Sequence, residues 1–294
     1  MYAIVLLVGF LIAAYVFHET VVKGKSCTSK AKLHGKTVIV TGSNTGIGKT
    51  MNLYGDLHLI YGSSQVVFMQ LDLASLKSVR SFAENFLKTE PRLDILINNA
   101  GLFNFGRTED GFGMTFGVNH LGHFLLTNLL LDRLKECGPS RVVNVSSGAH
   151  NWGRVDFDCL NTHKTLRTGT SFVDGQRVYA DSKLCNVLFT YELAKRLKGT
   201  KVTCYSLHPG VVRTDIIRNA SPTFQLVALN GLRFFMKTPL QGSQTTLHCA
   251  LHEGIEHLSG RHFSNCTARD VLAKAKDPVT AKKLWEISER FCDL

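Results

Sequence analysis

The sequence predicts an α/β fold, a doubly wound and mostly parallel sheet with helices on both faces. Three observations predict it. Short, continuously apolar runs rich in β-branched residues recur along the chain, as strands buried on both faces require. Longer stretches with helical periodicity separate these runs, which implies strand–helix alternation. The most polar residues follow the apolar runs, where such sheets bind ligands beyond the carboxyl ends of their strands.

Lys36–Thr41 is the first of these runs and leads directly into glycines, a strand-to-helix start. Similar runs lie at Val66–Leu71, Leu93–Asn98, Arg141–Ser147 and Lys201–Leu207, with helical patterns at Ser75–Lys88 and Val178–Leu197 between them. Past residue 214 the pattern changes. Residues 216–240 form an apolar, aromatic segment containing Phe224, Leu226, Val227, Leu229, Leu232, Phe234, Phe235 and Met236. Paired helices over the site are expected there, as a lid for a lipophilic substrate or a patch at a bilayer surface, with ordinary core packing as the plainer alternative. A last helix starts at Asp277-Pro278, a cap followed by proline in the first turn, and runs through Leu284, Trp285, Ile287 and Phe291.

With 294 residues, 44% of them hydrophobic, the chain can bury one full-sized core, and no repeat or low-complexity linker divides it. The organisation expected is a membrane segment over 1–22, a basic linker over 23–35 and one domain over 36–294. Met1–Phe17 is uninterruptedly apolar or small, and Val21 and Val22 extend it to about the length of a bilayer span. No Lys or Arg precedes it, while Lys23, Lys25, Lys30 and Lys32 follow, so a signal anchor with the domain on the cytosolic side is the favoured reading. A cleaved signal peptide is the competitor, and secretion would expose Asn219-Ala-Ser and Asn265-Cys-Thr to glycosylation.

The formal net charge of +11 is scattered rather than clustered and comes with no nucleic-acid-binding motif, so a basic surface beside a membrane is favoured and no nucleic-acid partner is expected. The eight cysteines, Cys27, Cys137, Cys159, Cys185, Cys204, Cys249, Cys266 and Cys292, show no C-x-x-C pair or metal-ligand spacing. Buried thiols in a reducing compartment are expected. His120, His123, His150 and His208 likewise lack metal-binding spacing and read as packing or supporting residues; no metal is expected.

The chemistry lies in a set of collinear motifs. Thr41-Gly-Ser-Asn-Thr-Gly-Ile-Gly48 sits where a strand meets a helix, so its glycines let backbone amides approach a pyrophosphate at the helix N-terminus. Asn98-Asn-Ala-Gly101, Val118-Asn-His-Leu-Gly122, Val143-Asn-Val-Ser-Ser147, Tyr179-Ala-Asp-Ser-Lys183 and His208-Pro-Gly210 follow in order. In these motifs the chain resembles the short-chain dehydrogenase/reductase superfamily over residues 36–270. Leu73-Ala-Ser-Leu-Lys-Ser-Val79 and Leu258-Ser-Gly-Arg-His-Phe263 resemble its microsomal retinol dehydrogenase branch.

The resemblance implies a Rossmann-type fold and an oxidoreductase acting on a lipophilic alcohol or carbonyl at the endoplasmic reticulum membrane. NADP is favoured over NAD, which stays open, as does a homo-oligomer. Tyr179 would be the general acid/base, and Lys183, one helical turn on, would favour its phenolate and hold the cofactor ribose. Ser147, rather than Ser146, would hold the substrate oxygen, and Asn119 would anchor a water-linked proton relay toward Lys183. Gly42, Ser43, Asn44, Gly46, Ile47, Gly48, Asp72, Asn99, Ala100, Gly101, Tyr179, Lys183, Pro209, Gly210, Val212 and Thr214 would contact the cofactor, Asp72 at its adenine. A Tyr and a Lys four apart are ordinarily a solvated helix edge; their company with Asn119, Ser147 and the glycine motif sets this pair apart.

The chain departs from the family in one place. Only seventeen residues separate Gly48 from Val66, where the family fits the rest of a helix, a second strand and another helix. The second strand is expected to be missing, a loss of about twenty-five residues, because a parallel crossover itself takes a dozen or more. The end of that strand normally carries the residue that reads the adenosine ribose. A rival expectation therefore stands beside the enzyme: a membrane-associated protein that no longer binds nucleotide, or an unstable variant.

Overall fold

A computed structural model describes residues 12–53, 66–169, 171–214 and 235–294. Among the described residues one sheet holds β1 (Val38–Val40), β2 (Ile95–Asn98), β3 (Ser140–Val145), β4 (Val202–His208), β5 (His262–Ser264) and β6 (Thr267–Arg269), in that spatial order. The first five are parallel and β6 returns antiparallel to β5. The helices are α1 (Gly46–Leu53), α2 (Leu76–Thr89), α3 (Gly122–Leu129), α4 (Leu131–Glu136), α5 (Phe157–His163), α6 (Phe172–Arg196), α7 (Pro239–Leu251) and α8 (Pro278–Phe291).

Strand side chains alternate between two cores, as the pleat dictates. Ile39, Leu96, Val142 and Cys204 pack with Val79 and Phe82 of α2, Phe124 of α3, Leu188 of α6 and Trp285 of α8. Ile95, Ile97, Val143, Val145, Tyr205 and Leu207 face the other way, onto Met51 of α1 and Leu247 and Leu251 of α7. The sheet is thus covered on both sides, which is why its strands read as unbroken apolar runs. Asp94 fastens β1 to β2: it accepts hydrogen bonds from Lys36 Nζ, the Thr37 amide and Arg92. Burial alone would raise its pKa, but these donors hold the carboxyl below its usual value.

The strand expected at Val66–Leu71 does not form. Residues 66–71 have no regular structure, and Val66, Val67 and Phe68 are 63%, 71% and 82% exposed. In the described residues β1 pairs with β2 alone, so nothing stands beside it to offer this segment a ladder. An apolar run makes a strand only where a neighbour can take its backbone hydrogen bonds.

The strands expected in Lys36–Thr41, Leu93–Asn98, Arg141–Ser147 and Lys201–Leu207 and the helices expected at Ser75–Lys88, Val178–Leu197 and from Asp277 are present, with shifted ends. Helix α6 starts six residues before the expected Val178, because Ser171 and Asp174 form a capping box. Val118–Gly122 lies in a π-turn, Gly117–Leu121, leading into α3. Residues 215–234 of the aromatic segment lie outside the described residues, as does Met1–Leu11 at the N-terminus. Residues 12–17 are helical and pass into a π-turn at His18–Val22. No helix among the described residues is long and apolar enough to cross a membrane.

Candidate active site

A cavity of about 430 Å3 opens at the carboxyl ends of β1 to β4. Its floor is the turn from β1 into α1, with Gly42, Asn44, Thr45, Gly46 and Ile47. One wall is Asn99–Leu102 after β2; the opposite wall is His208–Val212 and Thr214 after β4. Ser147, Tyr179, Lys183 and Met236 complete the lining.

The reactive side chains are placed by two elements. Tyr179 and Lys183 lie one turn apart on α6, so both face the cavity. The buried Asp181 between them accepts from the Arg154 amide (2.6 Å) and Arg167 Nε (3.1 Å), tying this turn to the loop beneath. Ser147 follows β3, where a 3-10 turn at Gly148–Trp152 begins; its hydroxyl accepts from the Ala149 amide at 3.2 Å, and it lines the cavity with Tyr179. Ser146 is engaged elsewhere, donating to the Lys183 carbonyl at 2.7 Å.

Electrostatics differ from the sequence expectation at one point. Burial pushes the Tyr179 phenol up to about 12, opposed by the neighbouring Ser147 hydroxyl. Lys183 does not offset this burial: its Nζ lies 5.6 Å from the ring centre, donates to the Val145 carbonyl at 3.1 Å, and is itself lowered to about 8 by burial. The expected phenolate is therefore a neutral phenol here. Its hydroxyl is a proton donor beside a second hydroxyl, an arrangement that can hold a carbonyl oxygen and protonate it.

Asn119 sits behind the Leu102 wall rather than on the cavity surface. Its Oδ1 accepts from the Leu102 amide at 2.8 Å, and its Nδ2 donates to the Leu102 carbonyl and Ser182 Oγ, both at 3.0 Å. Ser43, Gly48 and Asp72 also fall outside the lining. A Cβ on Gly48 would stand 2.3 Å from the Gly42 carbonyl and 2.8 Å from Asn99 Nδ2, so this glycine is needed for close packing of α1. Asp72 is exposed and caps its own turn, Oδ1 accepting from the Ala74 amide.

Two supports carried too little signal in the sequence. Thr41 Oγ1 accepts from the amides of Asn99 (2.9 Å) and Ala100 (3.0 Å) and lies 2.8 Å from His123 Nε2. With its acceptor sites filled, the hydroxyl donates to Nε2, and His123 Nδ1 donates to the Asn119 carbonyl at 3.2 Å. Burial drives His123 down to about 3, so the ring is neutral and this chain is satisfied throughout. On the other wall, His208 Nδ1 accepts from Gly148 N at 2.9 Å and Gly210 N at 3.4 Å, joining the serine turn to the Pro209–Gly210 loop. Its position in the motif was visible; its function as a double acceptor was not.

The cavity suits a nicotinamide nucleotide. Backbone amides at the N-terminus of α1 face it where a phosphate would lie. A Cβ on Gly101 would come within 3.1 Å of Lys183 Nζ, so only glycine leaves the ammonium free to reach a ribose. Among the described residues no group of His, Cys, Asp or Glu could hold a metal. All eight cysteines are free thiols, and Cys185, Cys204, Cys249 and Cys292 are buried.

Comparison with known proteins agrees with this geometry. The family model for short chain dehydrogenase matches residues 56–159. Human retinol dehydrogenase 11 is 47% identical over 292 residues, covering 91% of this chain and 88% of the relative. The chain belongs to the short-chain dehydrogenase family. It is an oxidoreductase of the class that acts on CH–OH groups. Bovine dehydrogenase/reductase SDR family member 13 is 45% identical to this short-chain dehydrogenase, covering all of it and 83% of the relative. That alignment spans 318 positions against 294 residues, so the relative has at least 24 positions that this chain lacks. A crystal structure of an uncharacterised Mycobacterium paratuberculosis protein, 29% identical, superposes with a TM-score of 0.70 over 92% of this chain and 98% of that one. A Burkholderia cenocepacia short chain dehydrogenase in complex with NADP shares the fold, at 20% identity and a TM-score of 0.59 over 79% of this chain and 97% of that one.

Proposed function

We propose that this short-chain dehydrogenase interconverts a lipophilic, retinoid- or steroid-like alcohol and its carbonyl, with NADP or NAD as hydride carrier. The observation that carries the reading is the convergence of Ser147, Tyr179 and Lys183 on one cavity beside the glycine turn. Gly42, Asn44, Gly46 and Ile47 would hold the cofactor phosphate; Asn99–Gly101, Pro209, Gly210, Val212 and Thr214 would flank the nicotinamide and its ribose. The nicotinamide supplies or accepts the hydride when bound.

The chain's own residues handle the substrate oxygen and its proton. Ser147 Oγ and the Tyr179 hydroxyl hold the carbonyl, and charge developing on that oxygen is met by two donors in a water-poor pocket. Tyr179 gives up its proton as the alcohol forms. Lys183, with a pKa near 8, bonds the ribose and compensates the phenolate left behind. Asn119 fixes Leu102 and Ser182 and so positions the wall beside that proton path.

The proposal includes the N-terminus and the aromatic segment. Residues 1–22 anchor the protein to the endoplasmic reticulum, with the 23–35 linker and the 36–294 domain on the cytosolic side, as the lysines after the apolar run support. Residues 216–240 cover the substrate; Met236, which lines the cavity, belongs to this segment. The test is a panel of retinoid aldehydes and steroid ketones with NADPH and full-length protein in lipid vesicles. Turnover of at least one that is lost in Tyr179→Phe supports the assignment; turnover retained by the variant removes Tyr179 from its role.

A further inference from the structure

Resting on the reading of this cavity as a nicotinamide site, we propose that it recognises only the mononucleotide half of the cofactor. It would accept reduced nicotinamide nucleotides as a class, NADPH, NADH and reduced nicotinamide mononucleotide alike. The two ends of the site are unequally furnished. The nicotinamide end has both walls, the ribose-facing pair Tyr179 and Lys183, and the phosphate turn.

Among the described residues the adenosine end lacks its usual parts. In sheets of this type the residue reading the adenosine ribose stands at the end of the strand beside the first. Among the described residues β1 has no partner on that side. Val66–Phe68, the apolar run that would lie one strand further out, is largely solvent-exposed and unpaired. Asp72, which follows it, lies outside the cavity lining and spends Oδ1 on Ala74 N.

The intervening sequence offers little in compensation. Positions 49–65 contain a single carboxylate, Asp56, and a single Lys or Arg, Lys49, which is exposed on α1. Seventeen residues do not accommodate the rest of a helix, a strand and the crossover to the next parallel strand. Discrimination between NADP and NAD arises from charged contacts to the 2′-group, and neither Asp72 nor Lys49, the charged groups described at this end, lines the cavity.

The test is calorimetric and fluorescence titration of the full chain in detergent micelles with NADPH, NADH, reduced nicotinamide mononucleotide and adenosine 2′,5′-bisphosphate. The proposal predicts NADPH and NADH dissociation constants within about threefold, the mononucleotide within about tenfold of both, and no saturable binding of the bisphosphate. A preference of about a hundredfold for either dinucleotide over the other, or for both over the mononucleotide, overturns it while upholding the nicotinamide site, and saturable bisphosphate binding does the same. If none of the four binds to protein that still melts cooperatively, the nicotinamide reading itself fails, and the inference with it.

Discussion

Replacing Thr41 by Val tests the internal support of the cavity without touching its surface. The two side chains are nearly the same shape, so the change removes a hydroxyl from a buried position and little else. Four groups lose that hydroxyl, but Asn99 N retains the Ile97 carbonyl at 3.0 Å, and that carbonyl, 3.5 Å from Thr41 Oγ1, keeps the Thr41 and Asn99 amides. The Ala100 amide and His123 Nε2 are left without their partner. Each buried orphan costs about 1–3 kcal/mol, so the variant should lose about 3 kcal/mol. For a domain of this size that is a fall in Tm of about 6–12 °C. Thr41→Ser keeps the hydroxyl and gives up one methyl, at about 1 kcal/mol. The assay is thermal and urea unfolding of both variants, with Thr41→Val also made in a His123→Phe background. Removing both members of the bond should cost less than the two single changes together, by about 1 kcal/mol or more. If Thr41→Val is no worse than Thr41→Ser, or the double change is additive, the proton arrangement assigned to Thr41 and His123 is wrong.

Three further outcomes follow from the same structure. Alcohol oxidation needs the Tyr179 phenolate; with the phenol raised to about 12, its rate should climb with pH to about 10 without a plateau, whereas carbonyl reduction stays level below about pH 8, as pH–rate profiles would show. Because Lys183 titrates near 8 in the folded protein and at 10.5 when unfolded, the unfolded chain holds the extra proton between them. Lys183 should thus make stability rise between about pH 8 and 10, and melting curves of Lys183→Met should lack this rise. Phe68→Asp should change stability by no more than about 0.5 kcal/mol, because the ring is exposed; a loss above about 2 kcal/mol in urea unfolding would restore the strand the sequence suggested.

The fold was largely legible because most strands are sandwiched between helix layers and write themselves as apolar runs. Leu93–Asn98, Arg141–Ser147 and Lys201–Leu207 each contain a strand of the sheet. Val66–Leu71 has the same composition and fails for a reason composition does not encode: among the described residues no strand pairs with it. The hairpin of β5 and β6 and helix α7 went unannounced, since three-residue strands leave no periodicity, although Thr238, Pro239 and Gln241 form an evident capping box. At the site, motif spacing located Ser147, Tyr179 and Lys183. It did not show that burial outweighs the lysine's charge at Tyr179, because desolvation depends on everything packed around a group. Thr41, His123 and His208 were hidden for a related reason: their role consists of hydrogen bonds to residues 58 to 82 positions away.

The most direct test of hydride transfer at this cavity uses reduced cofactor carrying deuterium at the nicotinamide C4, supplied with a retinoid aldehyde to the full-length protein in vesicles. Wild type should deliver the label to the carbonyl carbon of the product, one deuteron per cofactor oxidised, and Tyr179→Phe should bind the cofactor equally well and deliver none. Cofactor bound tightly by wild type with no label reaching any retinoid or steroid carbonyl, or label transferred equally by the variant, would contradict the account.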